Sequence, residues 1–447
     1  MTRTSLLWAM CALMNSASLF AQPPGQGPLP PGGGPRQAQT PPPTGAPLPG
    51  LSSSELARFQ AGLARFQEVV SVAGTEPGTA GSGLGPRFNM DSCSGCHAAP
   101  AIGGSSPLVN PQVAVAAEYG AQNFIPAFIH PNGPVRVARF VRNADGSADG
   151  GVHSLFTISG RADAGTCSIA QPDFATAASQ NNVIFRIPTP LFGAGLMEAI
   201  PDGAILANRA ANAAAKQALG ISGHENRSAN DGSITRFGWK AQTRSLEIFA
   251  GEAYNVEMGV TNELFGSERD VTPGCQLNPL PEDHTNFNAS TPIASMSDVK
   301  AFAEFMRWLA PPAPQPGTAA TQQGQQIFGQ IGCALCHTPV LNTGNTQSAA
   351  LANRPVVLFS DLLVHHMGSG LADGIVQGNA AGDEFRSAPL WGLSRRIFLL
   401  HDGRTTDLVA AIQAHASAGS EANGVVAAFN ALPADAVQNL IAFLKSL

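Results

Sequence analysis

Two short stretches, Cys93-Ser-Gly-Cys96-His97 and Cys333-Ala-Leu-Cys336-His337, combine chemically active residue types at a spacing that selects their chemistry. Two thiols so placed can meet the two vinyl groups of a haem, and a His directly after them can turn back to ligate its iron from the same side. A redox dithiol or half of a zinc site would need the Cys pair but not the adjoining His. The two copies are therefore read as attachment sites for two covalent haem c groups: Cys93, Cys96 and His97 for one, Cys333, Cys336 and His337 for the other.

Of the remaining thiols, Cys11 lies in the leader, while Cys167 and Cys275 have no ligand-like neighbours. In an oxidising compartment the default for such a pair is a disulfide. The compartment follows from residues 1–21, where Arg3, an apolar run from Leu6 to Leu13 and small residues up to Ala21 have the layout of a secretory signal peptide. The expected location is periplasmic or otherwise exported. No later run approaches the ~20 apolar residues of a membrane helix. A net charge of −6 argues against a nucleic-acid partner.

The elements that must position the two sites are mainly helical. Residues 22–50 hold 11 Pro and 7 Gly and read as a disordered tether. An N-terminal haem domain is expected over 51–310 and a C-terminal cytochrome-c-like haem domain over 311–447. Phe59 to Phe66 and Gln323 to Phe328 are helical patterns placed just before each Cys pair, and Ser52 to Glu55 could cap the first of them. Arg186-Ile-Pro-Thr-Pro-Leu-Phe-Gly193 is echoed by Arg386-Ser-Ala-Pro-Leu-Trp-Gly392, and Asp202-Gly203 by Asp402-Gly403. These echoes predict two cytochrome-c-like domains related by duplication. The echoes lie closer together than the haem motifs, which implies an insertion in the first half. Val135 to Phe140 and Val152 to Ile158 predict a small β-hairpin there, among long Gly- and Pro-rich loops. A helix over Thr406 to Ala418 places Leu408, Ala411, Ile412 and His415 on one face, and Asp435 to Leu444 closes the chain as a helix over the second haem.

Further segments make the sequence resemble a known family: Arg236-Phe-Gly-Trp-Lys240, Glu257-Met-Gly-Val-Thr261, Asp361-Leu-Leu-Val-His365-His-Met367-Gly, Arg386 to Gly392, and Leu400-His401-Asp402-Gly403-Arg404. With the haem motifs they are similar to the di-haem oxidoreductases, relatives of the bacterial di-haem cytochrome c peroxidases. The resemblance implies a C-terminal haem that passes electrons and an N-terminal haem open to peroxide or oxygen. It also implies a small cytochrome or cupredoxin as electron donor, and a Ca2+ ion between the domains. His415 stands 14 residues after His401, where similar peroxidases place a distal Met, and becomes the candidate distal ligand of the second haem. Met367 is its rival, with His365 and His366 as possible propionate contacts. A bis-His haem would have a lower potential than a His/Met one.

By the same resemblance Glu257 is the candidate acid-base residue at the first haem, with Glu198 in reserve. Splitting peroxide requires a group that moves a proton between its oxygens, which suits a carboxylate. The glutamine that accompanies this Glu in simple peroxidases has no counterpart near Glu247 and Phe249, and their inter-haem tryptophan falls at Pro201. Trp239 and Trp391 are substitutes, with an ordinary core role set against them. The leading expectation is a peroxidase-like enzyme. The alternatives are a di-haem electron carrier, its first haem capped by His130, His153 or His224, and an oxygenase resembling the rubber-cleaving enzymes.

Overall fold

Ser52 starts the first helix, Ser53–Phe66, through a complete capping box: its side chain accepts from the Glu55 amide while Glu55 accepts from the Ser52 amide at 2.7 Å. The helix buries Phe59, Gly62 and Phe66 against a second helix, Asp298–Trp308. Gly62 is required at the crossing, because a Cβ there would lie 2.2 Å from Ala301 O. The same device recurs where the Ala319–Gln330 helix meets the terminal helix Ala434–Ser446, since a Cβ on Gly324 would lie 2.0 Å from Asn439 O. Each crossing is filled by phenylalanines: Phe66 against Phe302 and Phe305, and Phe328 against Phe443.

The computed structural model describes residues 43–447, mostly helices and loops with four small sheets. The signal peptide and most of the expected tether lie outside the described residues. The end of the tether departs from expectation. Leu48 is buried and its amide donates to Trp308 O at 2.7 Å, while Ala310 N donates to Ala46 O at 3.0 Å. Pro and Gly content disfavours regular structure in such a segment; it does not stop another strand of chain from supplying partners.

The insertion is more divided than a single hairpin. Val137–Phe140 is the middle strand of a three-stranded antiparallel sheet, with Val152–His153 on one side and Val183–Arg186 on the other. Phe156–Thr157 leaves that sheet and pairs with Arg87–Phe88. A further helix, Leu246–Met258, packs on Asp298–Trp308 and carries Glu257 in its last turn. The apolar core forms two main clusters. The larger gathers Phe59, Phe66, Phe302 and Phe305 with Leu358, Leu363 and Trp391 from late in the chain, and the other gathers Phe328, Phe359, Leu440 and Phe443. Cys167 and Cys275 are joined in a disulfide. Among the described residues no helix is long and apolar enough to cross a membrane.

Candidate functional site

One turn of backbone presents each cysteine pair. Cys93–Cys96 forms a single α-turn after which the His97 amide donates to Cys93 O, and Cys333–Leu335 forms a 3-10 turn after which the His337 amide donates to Cys333 O. The first turn puts Cys93, Cys96 and His97 on the wall of one cavity, and the second puts Cys333, Cys336 and His337 on the wall of another. All four thiols are unpaired.

Three imidazoles share one arrangement. Nδ1 of His97 donates to Gly104 O at 2.9 Å, that of His337 to Phe359 O at 3.0 Å, and that of His415 to Ala411 O at 2.7 Å. A neutral imidazole donating from Nδ1 carries its lone pair on Nε2, and metal-ligating histidines are oriented by such a second bond. Burial pushes His97 and His337 down to about 4 and lowers His415 as well, so all three stay neutral.

The second cavity brings His415 and Met367 together with His337. His415 is the C-cap of a helix that spans Leu408–Ala414, shorter than the expected Thr406 to Ala418, and Asp407 caps its start. His365 also lines this cavity, but both ring nitrogens are engaged, Nδ1 with Glu421 at 2.9 Å and Nε2 with Asp361 at 3.0 Å. His366 is bonded to Asp383 and Glu384 instead, and is not part of either cavity wall.

The first cavity brings Glu257 to His97. Its carboxylate accepts from Asn89 Nδ2 at 2.8 Å, and burial raises its pKa against the opposing pull of Asn89 and Arg139. Glu198 is not brought there. It accepts from the Leu246 amide at 2.9 Å and pairs with Arg307 at 3.1 Å, so it serves to cap the Leu246–Met258 helix. Glu247 pairs with Lys300 on the surface, yet Gln112 and Gln242 reach the cavity wall from other segments. His130, His153 and His224 line neither cavity. His153 stacks on Phe140 and pairs with Asp149, and His224 pairs with Glu384.

Trp239 lines both cavities, and so does Ile187, whose carbonyl accepts from Trp239 Nε1 at 2.8 Å. Its ring meets His401 edge-on, and His401 stacks on Phe385 with centroids 4.1 Å apart. Trp391 is a different case: it is buried against Gly193 and borders neither of these cavities. Two neighbours of Trp239 explain why its segment is so polar while so buried. Arg236 is fully buried, pairs with Asp202 and donates to the carbonyls of Met197 and Ile200 at the end of the Ala194–Glu198 helix. Lys240 donates to Ala381 O and Glu384 O, both at 2.8 Å, and pairs with Asp373 at 3.2 Å. An ammonium thus fills a buried set of oxygens, and no group of three or more His, Cys, Asp or Glu is placed to hold a metal ion among the described residues, which leaves the expected Ca2+ without such a cluster.

The sequence of residues 139–447 matches the family described as "Di-haem oxidoreductase, putative peroxidase". The chain belongs to this di-haem oxidoreductase family. No curated protein matches it. Solved structures similar to it include the diheme peroxidase BthA from Burkholderia thailandensis, 14% identical over 88% of this chain and 86% of that one, with a TM-score of 0.39. A MauG-like protein associated with microbial copper homeostasis is 18% identical over 58% of this chain and 90% of that one, with a TM-score of 0.31. Hydrazine synthase from Kuenenia stuttgartiensis is 14% identical over 96% of this chain and all of that one, with a TM-score of 0.35.

Proposed function

We propose that this di-haem oxidoreductase is an exported, peroxidase-like enzyme. Electrons from a small cytochrome or cupredoxin enter at the C-terminal haem and pass to the N-terminal one, where peroxide or oxygen is reduced. Cys93 and Cys96 would hold the first haem and Cys333 and Cys336 the second, and His97 and His337 would each offer Nε2 to the iron. Apolar walls, unpaired thiols and imidazoles tied at Nδ1 fit that cofactor in both cavities. Buried Arg386 and half-buried Arg396 donate to backbone carbonyls rather than to carboxylates among the described residues, which suits them to the propionates of the second haem. When bound, the haems supply electron storage and the iron at which the oxidant is reduced.

The observation that carries the reading is an asymmetry between the cavities. The second presents two similarly oriented imidazoles, His337 and His415, as a closed electron-transfer site would. The first pairs one imidazole with the Glu257 carboxyl. Reduction of peroxide to two waters consumes two electrons and two protons, and Glu257 is positioned to hold a proton and deliver it to the departing oxygen. Trp239, on the wall of both cavities, offers the route between them.

The matching helix crossings at Gly62 and Gly324 and the matching Cys-pair turns support duplicated halves, divided near residue 310. One observation favours the electron-carrier reading: the thioethers of Met90, Met258 and Met306 on the first cavity wall are available to close that haem.

Glu257→Gln separates these readings, since it keeps the shape and removes the proton carrier. The rate of reaction with peroxide in stopped flow should fall by ~10²–10⁴-fold, with haem content unchanged. Equal rates would remove Glu257 from the mechanism. A wild type inert to peroxide even when half-reduced would establish the carrier reading.

A further inference from the structure

The sheet that walls the first cavity carries two arginines with different surroundings. Val135, Val137 and Arg139 alternate along one stretch of chain and all three line the cavity, as period-two geometry requires. Arg186, opposite Val137 in the neighbouring strand, lines it as well. Arg186 is neutralised, with Nε and one terminal nitrogen donating to Asp373 at 3.0 and 2.6 Å and the other to Gln377 at 2.5 Å. Arg139 is not. One terminal nitrogen donates to Gly150 O at 2.6 Å, its Nε is buried without a partner among the described residues, and no carboxylate among them forms an ion pair with it.

Arg139 is half-buried, and a charge withdrawn from water even in part is costly unless something else supplies the counter-charge. Glu257 and Glu252 share the cavity, yet neither closes on Arg139; Glu257 is held by Asn89, and Glu252 accepts from Thr243 at 3.3 Å. Arg269, the other cation that acts on Glu257, donates to Val152 O and is not part of the wall. A fixed cation and a carboxyl group thus border the same space without touching. Arg139 stays charged at any working pH and presents a planar set of donors.

We propose that Arg139 and Glu257 form a binding site for a small monoanion in the first cavity, hydroperoxide being the substrate form. The guanidinium takes the negative charge, and the carboxyl group donates a hydrogen bond when protonated. This rests on the peroxidase reading of that cavity and adds a second residue to it, one supplied by the insertion.

Fluoride is a suitable probe, because it is a small monoanion that binds ferric haem without turnover and is followed by absorption. In the holoprotein, Arg139→Leu should weaken fluoride binding by about 10- to 100-fold, the usual effect of losing a charge-assisted hydrogen bond. Arg139→Lys should recover part of the loss. Carbon monoxide has no charge to offer, so its binding to the reduced protein should be the same in all three. Equal fluoride affinity in wild type and Arg139→Leu would overturn the role of Arg139 and leave the peroxidase reading intact. So would loss of carbon monoxide binding in Arg139→Leu, or a Lys variant no better than the Leu variant. Failure of both fluoride and carbon monoxide to perturb the first haem of the wild type would instead overturn the open-site reading beneath it.

Discussion

Trp239 donates its indole N–H to the carbonyl of Ile187 at 2.8 Å, and this bonded pair is wall to both cavities. The two residues are 52 apart in the chain. The bond fixes the ring orientation, so a group shared by the two sites is held still rather than merely packed.

Trp239→Phe tests that placement. Phe keeps an aromatic ring but leaves Ile187 O without its donor, which should cost about 1 kcal/mol of stability. Both haems should still attach. Electron exchange between them, followed after rapid half-reduction, should slow. An unchanged exchange rate would return Trp239 to a packing role.

His415→Met should keep both haems and raise the potential of the second, because a thioether ligand favours the reduced iron more than an imidazole does. Potentiometric titration with absorption spectra reads both the shift and the ligand change. A spectrum and potential that do not move would pass the ligand role to Met367, which lines the same cavity.

Glu421 offers a pH-dependent test of the second half. Burial alone would raise its pKa, but His365, Ser222 and the Gly223 amide bring it down to about 2 from an ordinary 4.5. A depressed carboxyl pKa contributes stability that is complete above the ordinary value and is lost as pH falls through the folded one. Glu421→Gln should therefore cost ~3–5 kcal/mol near neutral pH, the usual effect of breaking a buried pair. The gap from wild type in denaturant titrations should narrow as the pH is lowered below 4.5 toward 2. A gap independent of pH over that range would show that packing, not charge, is what the substitution removes.

Features whose cause is local were legible in the amino-acid order. A Cys pair with its adjoining His needs only one turn of backbone, and Ser52 with Glu55 needs only the first turn of a helix, so both could be read without knowing what packs on them. That His415 faces inward was legible because an apolar stripe fixes which way a helical residue points, although the helix itself proved shorter. Tertiary structure decided everything that depends on distant partners. Glu198 and Glu257 look alike in sequence, and it is Arg307 and the Leu246 amide that engage one, while the His97 cavity receives the other. Both ring nitrogens of His365 are engaged by carboxylates, at positions 361 and 421, only one of them nearby in the chain. Trp239 and Trp391 are separated only by which cavities their rings reach, and Arg139 only by the carboxylate that Arg186 has and it lacks. Spacing along the chain sets what a turn can present, whereas burial and counter-charge belong to whatever the fold brings alongside.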